Sequence, residues 1–118
     1  MNYSKLTLDT DMFSEGFIVS GVYFISDSNG HIKIGESNNI ARRLHEIQTA
    51  IATRCCLIQY LKIEDQDNRR DWEKALHNYF KDYRVKGEWF REQPIIDFIG
   101  EENLFTSELL SKLIKPLI

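Results

Sequence analysis

The sequence predicts one small α/β domain of the α+β type, in which three strands are combined with several helices. Apolar runs at 21–26 and 31–35 flank an Asn-Gly turn, a combination typical of an antiparallel hairpin. Apolar side chains at helical spacing over 40–51 and 69–83 predict two amphipathic helices. The run "CCLIQYLKI" between those helices predicts the third strand.

The composition is that of a single globular domain spanning residues 1–118. An apolar fraction of 42% and a charged fraction of 28% exclude a disordered chain. The longest nearly apolar run, "FIVSGVYFI", is too short to span a bilayer, and the N-terminus lacks the apolar core of a signal peptide. We therefore expect a cytoplasmic protein of a bacterial or phage-infected cell. Cys55 and Cys56 are adjacent, which makes them poor metal ligands and favours apolar filling.

The charge is unevenly distributed. The net charge of −3 argues against a general nucleic-acid binder, because neutralisation of phosphates drives such affinity. Residues 31–91, however, hold 12 Lys or Arg against 9 Asp or Glu, whereas the ends are acidic. The middle of the chain therefore remains compatible with a polyanionic partner.

Alternation along the hairpin places specific side chains on one face. Tyr23 and Ile25 share a face of the first strand, as do His31, Lys33 and Gly35 on the second. Tyr23 and Lys33 are therefore expected on the same side of the sheet.

The first helix follows three residues of N-cap type at 37–39. Its apolar stripe leaves Arg43 on the flank, aimed at the margin of the sheet, while His45 projects toward solvent. Arg43 is therefore the cation of this helix that we expect beside the strands.

The second helix, predicted over 69–83, has candidate site residues on the flank of its apolar face. That face holds Trp72, Ala75, Leu76, Tyr79, Phe80 and Tyr83. Glu73 lies on the flank and His77 follows four residues later on the same side.

The segment "VKGEWF" that follows the second helix predicts a Gly-marked break and a bulky aromatic pair. Residues 92–118 predict two short helices, and residues 1–19 form an N-terminal arm.

Five short motifs occur in a consistent order: "GVY" at 21–23, "KIG" at 33–35, the arginine at 43, the helical glutamate at 73 and "GEWF" at 87–90. This ordered set resembles the GIY-YIG nuclease superfamily, and more narrowly a phage-type branch in which "KIG" replaces "YIG". The resemblance covers about 20–91. It implies a three-stranded antiparallel sheet flanked by helices and a metal-dependent endonuclease acting on DNA.

The resemblance also implies roles for individual residues. Tyr23 would activate or orient the attacking water, Arg43 would hold the scissile phosphate, and Glu73 would bind a single Mg²⁺ or Mn²⁺. Phosphodiester hydrolysis needs these three functions, and magnesium often takes only one or two protein carboxylates. Lys33 replaces the second tyrosine; we hypothesise that it lowers the pKa of Tyr23, contacts phosphate, or does both. His77 is either a further catalytic group or a structural histidine.

Other interpretations of the same residues stay open. Taken singly, each residue also has an ordinary structural interpretation. Tyr23 is then a strand aromatic, Arg43 a solvated cation and Glu73 a surface residue in an ion pair. The main functional alternative is a non-catalytic module that binds nucleic acid or a protein partner. A third alternative is a homodimer formed through the amphipathic segment 105–118. Glu88 is a second acidic group whose position the sequence does not fix.

Overall fold

The structure is a computed structural model that describes residues 18–102, with side chains to residue 99. The strands are β1 (Gly21–Ser26), β2 (His31–Ser37), β3 (Cys56–Lys62), β4 (Arg84–Lys86) and β5 (Trp89–Arg91). The helices are α1 (Ile40–Ala50), α2 (Gln66–Tyr79) and α3 (Glu92–Glu102). The α+β class is therefore confirmed.

The sheet has five antiparallel strands in the order β3-β1-β2-β5-β4, so the prediction of three strands is wrong. The predicted strands form β3-β1-β2, and a short hairpin adds β5 and β4 beside β2. The break predicted at "VKGEWF" is the turn of this hairpin, where Gly87 has φ +56°. That left-handed conformation suits glycine. Because β4 and β5 have only three residues each, the alternation of apolar and polar side chains does not reveal them in the sequence.

The β1–β2 turn covers residues 27–30, between the two strands as the sequence predicted. Ser28 and Gly30 adopt φ values of +60° and +90°. Asp27 Oδ1 accepts hydrogen bonds from the N–H groups of Asn29 and His31 at 2.8 and 3.0 Å. This Asx-type bonding closes the turn while preserving the predicted strands.

Two apolar clusters cover the two faces of the sheet. We call the face packed on α1 the α1 face; its strand residues include Tyr23, Ile25 and Leu57. The opposite face, packed on α2 and α3, is the α2 face; its buried members are Val22, Phe24, Ile32, Ile34, Ile58, Trp72, Ala75, Leu76, Phe80, Phe90, Ile95, Ile96, Phe98 and Ile99. The larger core therefore lies on the α2 face.

Both long helices begin at a side-chain cap. Asn39 accepts from the N–H of Arg42 at 3.1 Å, which selects one of the three predicted capping residues. Asp65 caps α2 by accepting from the N–H of Asn68 at 2.9 Å. His45 is exposed, as predicted.

The second helix begins and ends earlier than predicted. It stops at Tyr79, and a 3₁₀ turn over Lys81–Tyr83 leads into β4. Tyr79 and Tyr83 are consequently 54% and 40% exposed, so their predicted place on a buried helical face is wrong. The chain needs this turn to bring the β4–β5 hairpin alongside β2.

The C-terminal prediction is covered in part. Helix α3 corresponds to the first of the two predicted helices. The segment 105–118, with its proposed dimer contact, and residues 1–17 of the predicted arm lie outside the described residues. No helix in the described part of the chain is long and apolar enough to cross a membrane.

Candidate functional site

The candidate site residues gather where the outer edge of β2 loses its neighbouring strand. In the described sheet, β5 pairs only with His31–Lys33 of β2. The N–H of Ile34 donates to the carbonyl of Glu88 at 3.0 Å. Beyond this contact, side chains of α2 bond to the backbone of β2 in place of a neighbouring strand. His77 Nε2 lies 2.8 Å from the carbonyl oxygen of Ile34, and Glu73 accepts a hydrogen bond from the backbone N–H of Glu36.

Tyr23 reaches the same place from the α1 face. The register pairs Tyr23 with Gly35 and Ile25 with Lys33, so Tyr23 and Lys33 share a face as predicted. The Tyr23 side chain is 1% exposed, and its phenol lies across Gly35. A methyl group at Gly35 would collide with the phenol oxygen and its ring carbon. The glycine of "KIG" therefore gives the tyrosine its space.

Arg43 lies at the open side of the phenol. Its Nε donates a long hydrogen bond of 3.5 Å to the Tyr23 hydroxyl, and Nη1 lies 3.6 Å from Glu46 Oε1. The Arg43 side chain is 44% exposed. Helix α1 therefore places this guanidinium at the sheet margin, as the sequence predicted, where it remains accessible to an anion.

The pKa of Tyr23 moves in the opposite direction from the sequence hypothesis. Burial raises the pKa of Tyr23 to about 12, the Arg43 hydrogen bond opposes the rise, and Glu88 and Glu73 add to it. Lys33 Nζ lies 3.4 Å from Glu88 Oε2 and 5.3 Å from the centroid of the Trp89 ring. The ammonium is thus paired with a carboxylate. Its effect on the phenol pKa and its contact with phosphate both stay predictions.

Glu73 is an acid held in an unfavourable environment for its charge. Burial and, to a lesser extent, the carboxylates of Glu88 and Glu36 together raise the pKa of Glu73 to about 7. The N–H of Glu36 and the ammonium of Lys33 act in the opposite direction. Near neutral pH the Glu73 carboxyl therefore changes its charge readily, and an added cation would favour the ionised form.

Glu88 belongs to this site, although the sequence could not place it. Its Oε2 is buried over Gly35 and makes no hydrogen bond among the described residues. The 3.4 Å approach of Lys33 Nζ is an ion pair whose alignment does not make it a hydrogen bond. In the sequence, Glu88 directly follows the turn glycine at 87. This position indicates a place beside β2 only when the β4–β5 hairpin is known.

Glu36 was also missed, and it is fixed by a cation from α2. Arg69 is 5% exposed, and its Nε lies 3.0 Å from Glu36 Oε2. Arg70 Nε approaches Glu36 Oε1 at 4.0 Å. This partly neutralised carboxylate anchors the end of β2 to α2 and brings the Glu36 N–H to Glu73.

Both ring nitrogens of His77 make hydrogen bonds within the fold. Its Nε2 donates to the Ile34 carbonyl, and its Nδ1 accepts from Arg84 Nη2 at 3.2 Å. Its ring meets the Phe90 ring edge-on at 5.0 Å, and burial lowers the pKa of His77. Both nitrogens are therefore engaged in a neutral ring, which favours the structural interpretation over the catalytic one.

One open cleft of about 800 Å³ brings Tyr23, Arg43 and Glu73 together, whereas Lys33 and His77 do not line it. Its lining comprises Tyr23, Glu36, Arg43, Asp67, Arg70, Asp71, Glu73, Lys74 and Glu88. Among residues 18–99 there is no group of three or more His, Cys, Asp or Glu that could hold a metal ion. Mg²⁺ often takes only one or two protein carboxylates, so a cation held through Glu73 alone stays a prediction.

Comparison with known proteins gives one family. A model of the T5orf172 domain matches residues 20–104. The matched range contains all the cleft residues. No curated protein and no solved structure matches the chain significantly.

Proposed function

The chain belongs to the T5orf172 domain family, and we propose that it is a divalent-metal-dependent endonuclease of the GIY-YIG type that hydrolyses phosphodiester bonds in DNA. One observation carries the proposal. Tyr23 of β1, Arg43 of α1 and Glu73 of α2 line a single cleft although they are far apart in the sequence. Packing alone does not require a phenol, a guanidinium and a carboxyl to converge there.

Tyr23 and Arg43 serve the nucleophile and the phosphate. With its raised pKa, the Tyr23 phenol is neutral at pH 7 and orients the attacking water by hydrogen bonding. Arg43 is accessible and stabilises the negative charge that develops on the phosphate oxygens. Their mutual hydrogen bond is long, so the accessible Arg43 guanidinium can turn to a phosphate at little energetic cost.

Glu73 holds the cation, Mg²⁺ or Mn²⁺. Such a cation, when bound, lowers the pKa of coordinated water and neutralises developing charge. Glu88 and Glu36 favour cation binding because their negative charges, which also raise the pKa of Glu73, attract a cation to this carboxylate. Lys33 balances Glu88 in the absence of a cation and can turn to a phosphate oxygen when a bound cation neutralises the acidic cluster.

The second candidate function is a non-catalytic module on the same fold that binds nucleic acid or a protein partner. The charge of the cleft argues against the enzyme in one respect: five of its lining residues are acidic and three are basic. A cleft of this balance repels DNA unless a cation is present. Dependence of binding on the divalent cation, without cleavage, would favour this candidate.

The test is cleavage of supercoiled, linear, branched and single-stranded DNA with Mg²⁺, Mn²⁺ or EDTA. Wild type is compared with Glu73→Ala and Tyr23→Phe, and Glu64→Ala serves as an exposed glutamate control. We expect cutting that requires the cation and is lost in both site variants but not in the control. No cutting of any substrate, with DNA binding unaffected by the site changes, would overturn the enzyme and leave the binding module.

A further inference from the structure

A second groove continues from the candidate active cleft along the C-terminal half of α2. It has a volume of about 380 Å³ and is lined by Glu73, Lys74, His77, Asn78, Lys81 and Arg84. Glu73 and Lys74 line both depressions, so the two are contiguous. We call this second depression the basic groove. It leads from the candidate cation site toward β4.

The basic groove and the cleft differ in charge. The groove has three cations, Lys74, Lys81 and Arg84, against the single acid Glu73 that it shares with the cleft. The cleft has five acids against three bases. An anion is therefore repelled from the cleft in the absence of a cation but attracted to the groove at all times.

Arg84 is oriented without being neutralised. Its Nη2 donates to His77 Nδ1 at 3.2 Å, and its guanidinium carbon lies 5.5 Å from the Phe90 ring centroid. The histidine accepts as a neutral ring, and an aromatic face carries no net charge. Both contacts therefore hold the guanidinium in place while leaving its positive charge available.

The cations around the cleft behave differently. Lys33, Arg43, Arg69 and Arg70 each lie within 4.0 Å of a glutamate oxygen. Within the described part of the chain, none of the three groove cations has such an ion pair. Charges that the fold gathers in one groove, and leaves without a carboxylate, are suited to an anion from outside.

We propose that the basic groove binds phosphate groups of the substrate strand next to the scissile phosphate. The inference rests on the proposed function, because the shared wall at Glu73 is what aligns the groove with the site of cleavage. Lys81 and Arg84 each contact a backbone phosphate, which positions the strand without reading its sequence. A nucleic-acid strand is the favoured occupant because repeated phosphates match a row of cations that leads out of the cleft.

The test measures binding in EDTA, separately from cleavage. A short fluorescein-labelled DNA strand is titrated by fluorescence anisotropy over a series of salt concentrations. The proteins are wild type, Lys81→Ala, Arg84→Gln and the double variant; glutamine keeps a donor for His77. Lys62→Ala is the matched control, since Lys62 is an exposed lysine on β3 that lines neither depression.

We expect each groove variant to reduce the slope of log affinity against log salt by about 1, and the double variant by about 2. Lys62→Ala should leave the slope unchanged. Wild-type slopes in both single variants would overturn the proposal. So would displacement of the strand by inorganic phosphate at matched ionic strength that is lost in Lys81→Ala, since it would assign the groove to a free anion.

The outcome is distinguishable from failure of the proposed function. If wild type does not cleave in Mg²⁺ while the groove variants still lose salt-dependent binding, the nuclease proposal fails and the groove stands. If wild type cleaves and the variants bind normally, the nuclease stands and the groove proposal fails.

Discussion

The two faces of the sheet bury different kinds of side chain. On the α2 face the strands contribute Val22, Phe24, Ile32, Ile34 and Phe90, all fully buried and apolar. On the α1 face the corresponding positions include a buried tyrosine, a glycine that gives it space, and a lysine. The polar groups of the α1 face contribute less to packing than an apolar set would.

The difference separates stability from chemistry within one small sheet. The α2 face supplies most of the core, and its functional residue Glu73 appears only at the edge where β5 ends. The α1 face supplies the phenol and the nearby guanidinium. Changes to polar groups on the α1 face should therefore affect cleavage. Changes that remove the contacts of α2 with the edge of β2 should instead affect folding.

The largest effect is expected from Tyr23→Phe. Loss of the hydroxyl should reduce the cleavage rate by about 10²- to 10⁴-fold, the usual contribution of a positioned proton-handling group. The unfolding free energy should change by no more than about 1 kcal/mol, because the ring stays and the lost hydrogen bond is long. Cleavage kinetics and urea denaturation measure the two quantities. A large loss of stability with little loss of rate would reverse the assignment of the faces.

Gly35→Ala is expected to disturb both properties through the tyrosine. The added methyl group collides with the Tyr23 phenol, and such overpacking costs about 1–3 kcal/mol. The matched test is the pair with Tyr23→Leu, which removes the phenol. Tyr23→Leu should destabilise the Gly35→Ala protein less than it destabilises wild type in urea denaturation. Equal effects in both backgrounds would mean that the two residues do not collide.

His77→Ala tests the α2 edge. It leaves the Ile34 carbonyl without its side-chain donor, which should cost about 1–3 kcal/mol of unfolding free energy. The exposed His45→Ala should change it by less than about 0.5 kcal/mol. The pH dependence of cleavage should keep its shape in His77→Ala. A missing limb of that profile, with normal stability, would show that His77 transfers a proton.

A change in stability of opposite sign is expected from Glu73→Gln. The folded-state pKa of Glu73 is about 7, above its ordinary value of 4.5. Its contribution to stability is therefore present below about pH 4.5 and is lost as pH rises through 7. Glutamine cannot ionise, so the variant should be more stable than wild type at pH 8 by about 1–2 kcal/mol, with no advantage at pH 4.

Thermal unfolding with and without Mg²⁺ extends that test. Mg²⁺ should raise the melting temperature of wild type above pH 7 and should not raise that of Glu73→Gln, because only the carboxylate binds the cation. Glu64→Gln is the exposed control and should follow wild type. An equal Mg²⁺ response in wild type and Glu73→Gln would place the cation elsewhere.

Local patterns were sufficient for the parts of the site that lie on regular elements. Alternation placed Tyr23 and Lys33 on one face, and helical phase placed Arg43 at the margin, because both depend only on the period of one element. The hairpin that carries Glu88 was missed, since strands of three residues show no period. The turn glycine at 87 was read as a break for the same reason.

The features that the sequence did not predict depend on tertiary structure. The pKa of Tyr23 depends on how deeply the phenol is buried and on the carboxylates beside it, neither of which is a property of neighbouring residues in sequence. The Glu36–Arg69 pair and the use of both His77 nitrogens depend on where β5 stops along β2. No spacing rule within the chain fixes that point.

The most direct test of convergence at the β2 edge is a double-mutant cycle on Mg²⁺-dependent cleavage with Tyr23→Phe and Glu73→Gln. Groups that act as one unit are strongly non-additive. We expect the double variant to be no slower than the slower single variant. Losses that multiply, or a single variant that cleaves at the wild-type rate, would contradict a shared site formed by the two faces.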